Sequence, residues 1–256
     1  MKVESGKWKV ESGVCMGIKI NYAKDYWKLS LWAAEFVASE LKSKKSGFVL
    51  GLPTGSTPLG MYERLIDKNR AGELDFSGVT TFNLDEYYPI EKDSEQSYYR
   101  FMFDHFFDKI NIEPGNVNIP DGEADDPEAE CLEYEQKIDR AGGIDLMVLG
   151  IGANGHIGFN EPGDFLLPYT HVAELTEETK EANKRFFERA EDVPARALTM
   201  GMASIIAKSK KILMLVHGNS KTEVFKQFAE GRITPKNPAT FLYLHGDVTV
   251  ISDIEI

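Results

Sequence analysis

Residues Ile144–Gly163 read IDLMVLGIGANGHIGFNEPG, an apolar run that closes on a loop rich in glycine and asparagine. A short apolar run of this kind is a strand covered on both faces, the pattern of a parallel sheet. Gly150, Gly152, Gly155 and Gly158 let the backbone after it turn sharply and leave room for a ligand beside it. His156 and Glu161 fall inside the same loop. An active-site loop has this look, and a hydrogen-bonded structural histidine is the alternative.

Working outward, strands and helices alternate. Tyr22–Lys45 carries apolar side chains at helical spacing, Phe48–Gly51 is a short strand, and a second helix runs from about Pro58 to Asn69. Val79–Leu84 is the next strand and closes on Asp85 and Glu86; Glu95–Lys109 is an aromatic-rich helix, with Tyr98 and Phe101 among side chains assigned to core packing. A helix with Pro127 in its first turn ends near Gly142 and Gly143. Beyond the central loop, the charged stretch Thr176–Arg189 is a marginal helix and a candidate mobile lid, set within about 164–196. Ala197–Ser209 reads as helix, Ile212–Val216 as buried strand, Thr222–Glu230 as helix, and Ala239–Leu244 and Val248–Ile251 as closing strands. The expected architecture is one α/β domain over 16–256, a mostly parallel sheet with helices on both faces. Residues 1–15 hold the repeat KVESG and read as an N-terminal extension or cloning scar.

Composition narrows the function. A formal net charge of −12 disfavours nucleic acid, whose phosphates need clustered Lys and Arg. No apolar run approaches the roughly 18 residues that span a bilayer, and no secretory h-region follows the basic N-terminus; the chain is expected to be soluble and cytoplasmic. Cys15 and Cys131 make neither a disulfide framework nor a metal spacing, and the five histidines are scattered, so no metal is expected.

Ligands of open α/β sheets bind outside the carboxyl ends of the strands. Four such ends carry polar loops here: TGST at 54–57, DEYY at 85–88, the NGHIGFNEPG loop, and HGNSK at 217–221. Thr54, Gly55, Ser56 and Thr57 precede a helix, where free N–H groups and hydroxyls cradle a phosphate, although simple helix capping uses the same residue types. Lys221 sits at another helix start, where a cation does not offset the local dipole unless an anion is bound. Asp85 follows a strand directly and can act as a general base. His156 can move a proton near neutral pH, with Glu161 to orient it.

GLPTGSTP, FNLDEYY, GIGANGHIGFNEPG, NKRFF followed by ALTMG, and HGNSK, in this order, resemble the glucosamine-6-phosphate deaminase family from about Met16 to Asp253. The resemblance implies a Rossmann-like fold and a cofactor-free conversion of D-glucosamine 6-phosphate and water to D-fructose 6-phosphate and ammonia. It implies ring opening by His156 supported by Glu161, proton transfer between C2 and C1 by Asp85, and a phosphate held by Thr54–Thr57, Arg185 and Lys221.

Two departures matter. Many members carry Asp where this chain has Asn154, in an Asp, His, Glu triad; Asn154 is expected to accept the imidazole N–H without adding charge, leaving that to Glu161. Members activated by N-acetylglucosamine 6-phosphate carry basic residues shortly after FNEP, whereas YTHVAE at 169–174 has none, so no activation is expected. The competing readings are a 6-phosphogluconolactonase-like hydrolase on the same fold, a sugar-phosphate-sensing effector domain, and an inactive binding protein. The sequence leaves the oligomeric state open.

Overall fold

The computed structural model describes residues 17–44, 46–177, 179–180 and 193–256. In chain order the elements are β1 (Ile18–Tyr22), α1 (Tyr26–Ser43), β2 (Val49–Leu52), α2 (Leu59–Arg70), β3 (Thr80–Asn83), β4 (Asp85–Tyr88), α3 (Tyr98–His105), β5 (Val117–Asn118), α4 (Pro127–Arg140) and β6 (Leu146–Gly150). They continue with β7 (His171–Glu174), β8 (Arg196–Thr199), α5 (Met202–Lys208), β9 (Ile212–Val216), α6 (Thr222–Ala229) and β10 (Val248–Ser252).

Seven strands form one sheet in the order β1-β10-β9-β6-β2-β3-β5, and every pairing in it is parallel. The alternation of side chains along a strand divides its apolar residues between two cores. Leu146, Val148, Leu213 and Leu215 face α1 and α2, packing with Ala33, Val37, Tyr62 and Leu65. Met147, Leu149, Met214 and Val216 face the other way, with Tyr134, Ile138, Ile205 and Phe225 of the opposite helical layer. A sheet covered twice needs strands without a polar face, which is why ILMLV at β9 is buried throughout. From β2 the chain builds outward through β3 to β5, and from β6 it builds the other way through β9 to β10. The direction therefore reverses between β2 and β6, and the loops leaving those two strands flank a crevice.

A second sheet holds β4, β8 and β7, all antiparallel. It departs from the expected elements at three places. Residues 196–199 pair as β8 and the helix is confined to Met202–Lys208; the apolar run ALTM fits either period over so short a span. Asp85 begins a strand of its own, β4, after the single break at Leu84. Residues 171–174 of the expected lid interval are β7, and the interval's core, 181–192, lies outside the described residues with Arg185. Pro238–Leu244 is a 3-10 helix, where a strand was expected; Thr240 Oγ1 donates to Asn237 O and accepts from Thr234 N, curling the segment back on itself. Among the described residues no helix is long and apolar enough to cross a membrane.

Candidate active site

A cavity of about 520 Å³ opens at the carboxyl edge of the large sheet, between the loops that leave β2 and β6. Thr54, Gly55, Ser56, Thr57, Asp85, Asn154, His156 and Lys221 all line it. Chain topology thus brings together residues up to 167 positions apart, counted from Thr54 to Lys221. Glu161 stands behind His156, with its Oε1 3.5 Å from the imidazole Nδ1. Arg185 is outside the described residues.

The central loop is shaped by its own backbone and by β8. Gly152 N–H donates to His156 O at 2.9 Å, folding the loop tightly. A side chain on Gly152 would run into the imidazole, so glycine is required for the ring to lie where it does. Gly155 and Gly158 have φ of 93° and 58°, the left-handed region that glycine enters without strain. The FN of the motif is an anchor: Phe159 N–H donates to Thr199 Oγ1 at 3.0 Å, and buried Asn160 gives its amide to Ile157 O and Met200 O, both at 2.8 Å. The loop passes directly beside Asp85, since a Cβ on Gly158 would lie 3.2 Å from Asp85 Oδ2.

Asn154 does not do what its position in the sequence suggested. Its Oδ1 accepts the backbone N–H of His156 at 3.2 Å, and its Nδ2 donates to Glu161 Oε2 at 2.8 Å. A carboxylate only accepts, so the amide presents its NH2 to Glu161, and its Oδ1 takes the backbone N–H of His156 rather than the imidazole Nδ1. Glu161 also accepts from Thr179 Oγ1. Burial opposes its ionisation, but His156, Thr179 and Asn154 together hold its carboxyl below the ordinary glutamate value.

Asp85 and Glu86 point to opposite sides of β4. Asp85 is only 6% exposed and lines the cavity. Burial, with the charge of Glu86 next in importance, pushes its carboxyl up to about 8. Glu86 accepts three backbone N–H groups, from Tyr87, Tyr98 and Tyr99, at 2.9, 2.8 and 2.7 Å. Two of those belong to the first turn of α3, so Glu86 caps that helix. Burial raises the Glu86 carboxyl to about 7, against the pull of the three amides.

Sequence reasoning missed the aromatic wall. Tyr98 and Phe101, assigned to the core, line the cavity together with Tyr87 and Phe159, and Tyr98 lies parallel to Phe159 with centroids 6.0 Å apart. A stripe of aromatics does not reveal which rings cover the core and which reach its rim. Thr179 was also missed, because its tie to Glu161 spans 18 residues with no local signal. Among the described residues no group of three or more His, Cys, Asp or Glu is arranged to hold a metal ion.

Open α/β sheets take small ligands at a switch point of this kind, and the chain falls in that class. It belongs, more narrowly, to the family described as glucosamine-6-phosphate isomerases/6-phosphogluconolactonase, whose model matches residues 28–251. The chain is similar to the glucosamine-6-phosphate deaminase of Thermoanaerobacter sp., 54% identical over 238 residues that cover 93% of each chain. Among solved structures it is similar to a monomeric glucosamine-6-phosphate deaminase, with a TM-score of 0.87 and 46% identity over 93% of this chain and 97% of that one. The 6-phosphogluconolactonase from Thermotoga maritima, at TM-score 0.69 and 22% identity over 92% and 98% of the two chains, shares the fold.

Proposed function

We propose that the chain is a glucosamine-6-phosphate deaminase, with Asp85 and His156 as its two proton-moving groups. The observation that carries the reading is a buried carboxylate and an imidazole lining one cavity, with the glycine loop of the second running against the first. Aldose–ketose isomerisation needs a base beside C2 and C1 and a separate group at the ring oxygen; a lactonase needs only an activated water.

In this scheme His156 gives a proton to the ring oxygen as the C1 hydroxyl loses its own, and the C1–O bond to the ring breaks to leave the open-chain aldehyde. Glu161 holds the imidazole in place and stabilises positive charge on it. Asp85 takes the proton from C2, forming an enolamine, and returns it to C1, forming the C2 imine. Water adds to C2 and the C–N bond breaks, releasing ammonia and fructose 6-phosphate. A carboxyl held up near 8 by burial is matched to taking and returning a proton around neutral pH.

The phosphate would sit on the 54–57 loop at the start of α2, with Lys221 and Arg185. Gly55 has φ 98°, which turns the backbone there, and the Pro58 N-cap offers no side-chain bond to the helix. The first turn of α2 has no acidic residue to repel an anion.

The direct test is release of ammonia and fructose 6-phosphate from glucosamine 6-phosphate, with Asp85→Asn and His156→Gln as controls. Product from the parent protein and its loss in both variants is expected. A parent protein that binds the substrate and releases no product would overturn the reading in favour of a sensing or inactive protein.

A further inference from the structure

The start of α2 poses a hydrogen-bonding problem that its own sequence does not solve. The first N–H groups of a helix have no partner within it, and a side chain at the N-cap ordinarily supplies one. Here the N-cap is Pro58, which has none to offer. Ser56 and Thr57 are close enough in sequence to cap the helix. If they did, their hydroxyls would be drawn away from the cavity they line.

The partner comes from elsewhere in the chain. Tyr26, the first residue of α1, places its hydroxyl so that Gly60 N–H donates to it at 2.9 Å, while the same hydroxyl donates to Ser56 O at 3.1 Å. Gly60 is the second residue of α2, where an N-cap side chain would act. One phenol therefore satisfies a helix N–H and fixes the carbonyl in the middle of the 54–57 loop. The close approach is built in: a Cβ on Gly60 would collide with the side chain of Ser30 and come within 3.1 Å of the Tyr26 hydroxyl.

Tyr26 is itself held from behind. Its ring packs on the imidazole of His217, with centroids 4.4 Å apart. His217 Nδ1 is 2.5 Å from Asp253 Oδ2, and Asp253 Oδ1 accepts the N–H of Gly218 at 3.2 Å. His217 opens the segment that ends in Lys221, and Lys221 lines the same cavity as the 54–57 loop. The array Asp253, His217, Tyr26 thus joins the two polypeptide segments expected to hold the phosphate.

We infer that Tyr26, backed by His217 and Asp253, is a positioning residue for the anionic end of the substrate: it caps α2 in place of Ser56 and Thr57 and fixes their loop relative to Lys221. The inference rests on the proposed phosphate site, though not on the deamination chemistry. It assigns Tyr26 an effect on phosphate recognition and none on proton transfer at Asp85 or His156.

The test is Tyr26→Phe, which keeps the ring on His217 and removes the hydroxyl. KM for glucosamine 6-phosphate and the dissociation constant of inorganic phosphate, measured by calorimetry, are expected to rise together, by roughly five- to tenfold for the loss of a pair of neutral hydrogen bonds. The kcat is expected to stay within about twofold, because no group that moves a proton is touched. In a cycle with Ser56→Ala the two changes are expected to be non-additive, since Tyr26 acts through the loop that carries Ser56. Unchanged phosphate affinity, or a fall in kcat at constant KM, would overturn the inference. If the parent protein binds inorganic phosphate but does not deaminate glucosamine 6-phosphate, a weakened phosphate affinity in Tyr26→Phe still supports the role of Tyr26 while the proposed reaction fails.

Discussion

Asn154 Nδ2 lies 2.8 Å from Glu161 Oε2, which makes the amide a donor to the carboxylate that backs His156. An aspartate in the same place would set two carboxylates in contact, and two such groups cannot both ionise cheaply. For Asn154→Asp the expectation is therefore a Glu161 carboxyl raised from its depressed position, and an acid limb of kcat moved to higher pH. Asn154→Ala removes one donor and leaves the others; a loss of ~1–2 kcal/mol, or about 5–30-fold in kcat/KM at neutral pH, is expected. A pH–rate profile for Asn154→Asp that overlays the parent would show that the amide has no part in holding Glu161.

Asp85→Asn separates catalysis from stability. Loss of the base is expected to cost roughly 10²–10⁴ in kcat. The stability effect has the opposite sign and depends on pH. The Asp85 carboxyl has an ordinary value of 3.8 and is raised to about 8 in the fold. Between those limits the folded chain holds a proton that the unfolded chain has released, so the parent loses stability as pH rises through the window. The Tm of Asp85→Asn is expected to gain on the parent from pH 4 to pH 8 and then level off. A difference in Tm that stays constant across that range would mean that Asp85 does not ionise late.

Five strands of the large sheet, β2, β3, β6, β9 and β10, were legible because their determinants are local, whereas β1 and the two-residue β5 were not read as strands. ILMLV and LMVL are unbroken apolar runs that suit strands covered on both faces, and Pro127 marks the first turn of α4. The small sheet was not, because β4 follows β3 after one residue and β8 is four residues of ambiguous period. In the site, Asp85 and His156 were visible as polar groups at strand ends, and both line the cavity. What Asn154 touches was not visible: the orientation of a side-chain amide is decided by a carboxylate seven residues on and by the fold of the loop between them. The same holds for Tyr26, whose partners Ser56 and Gly60 are 30 and 34 residues away.

Glu86 bears on Asp85 through charge alone, since its carboxylate is turned away to cap α3. Glu86→Gln removes the neighbouring negative charge that raises Asp85. The acid limb of kcat/KM is expected to move to lower pH, bringing Asp85 into its basic form earlier. An amide oxygen is a weaker acceptor than a carboxylate for three converging N–H groups, so a loss of ~1–3 kcal/mol in stability is expected alongside. A rate profile whose acid limb does not move would leave burial as the whole cause of the raised Asp85 carboxyl.

Gly152→Ala tests whether the imidazole needs the bare backbone beneath it. The added methyl would overlap Nδ1, Cε1 and Cγ of the ring, so either the ring swings into the cavity or the loop shifts. Overpacking of this kind costs ~1–3 kcal/mol. It falls on a loop tied to β8 by Phe159 and Asn160, which limits how far the backbone can yield. The ring is therefore the part expected to move, lengthening the 3.5 Å contact with Glu161. A fall in kcat of at least tenfold is expected, with the dissociation constant for inorganic phosphate unchanged because the 54–57 loop is untouched. Wild-type kcat in Gly152→Ala would mean that His156 works from more than one position, and that the tight fold of the loop serves packing rather than ring opening.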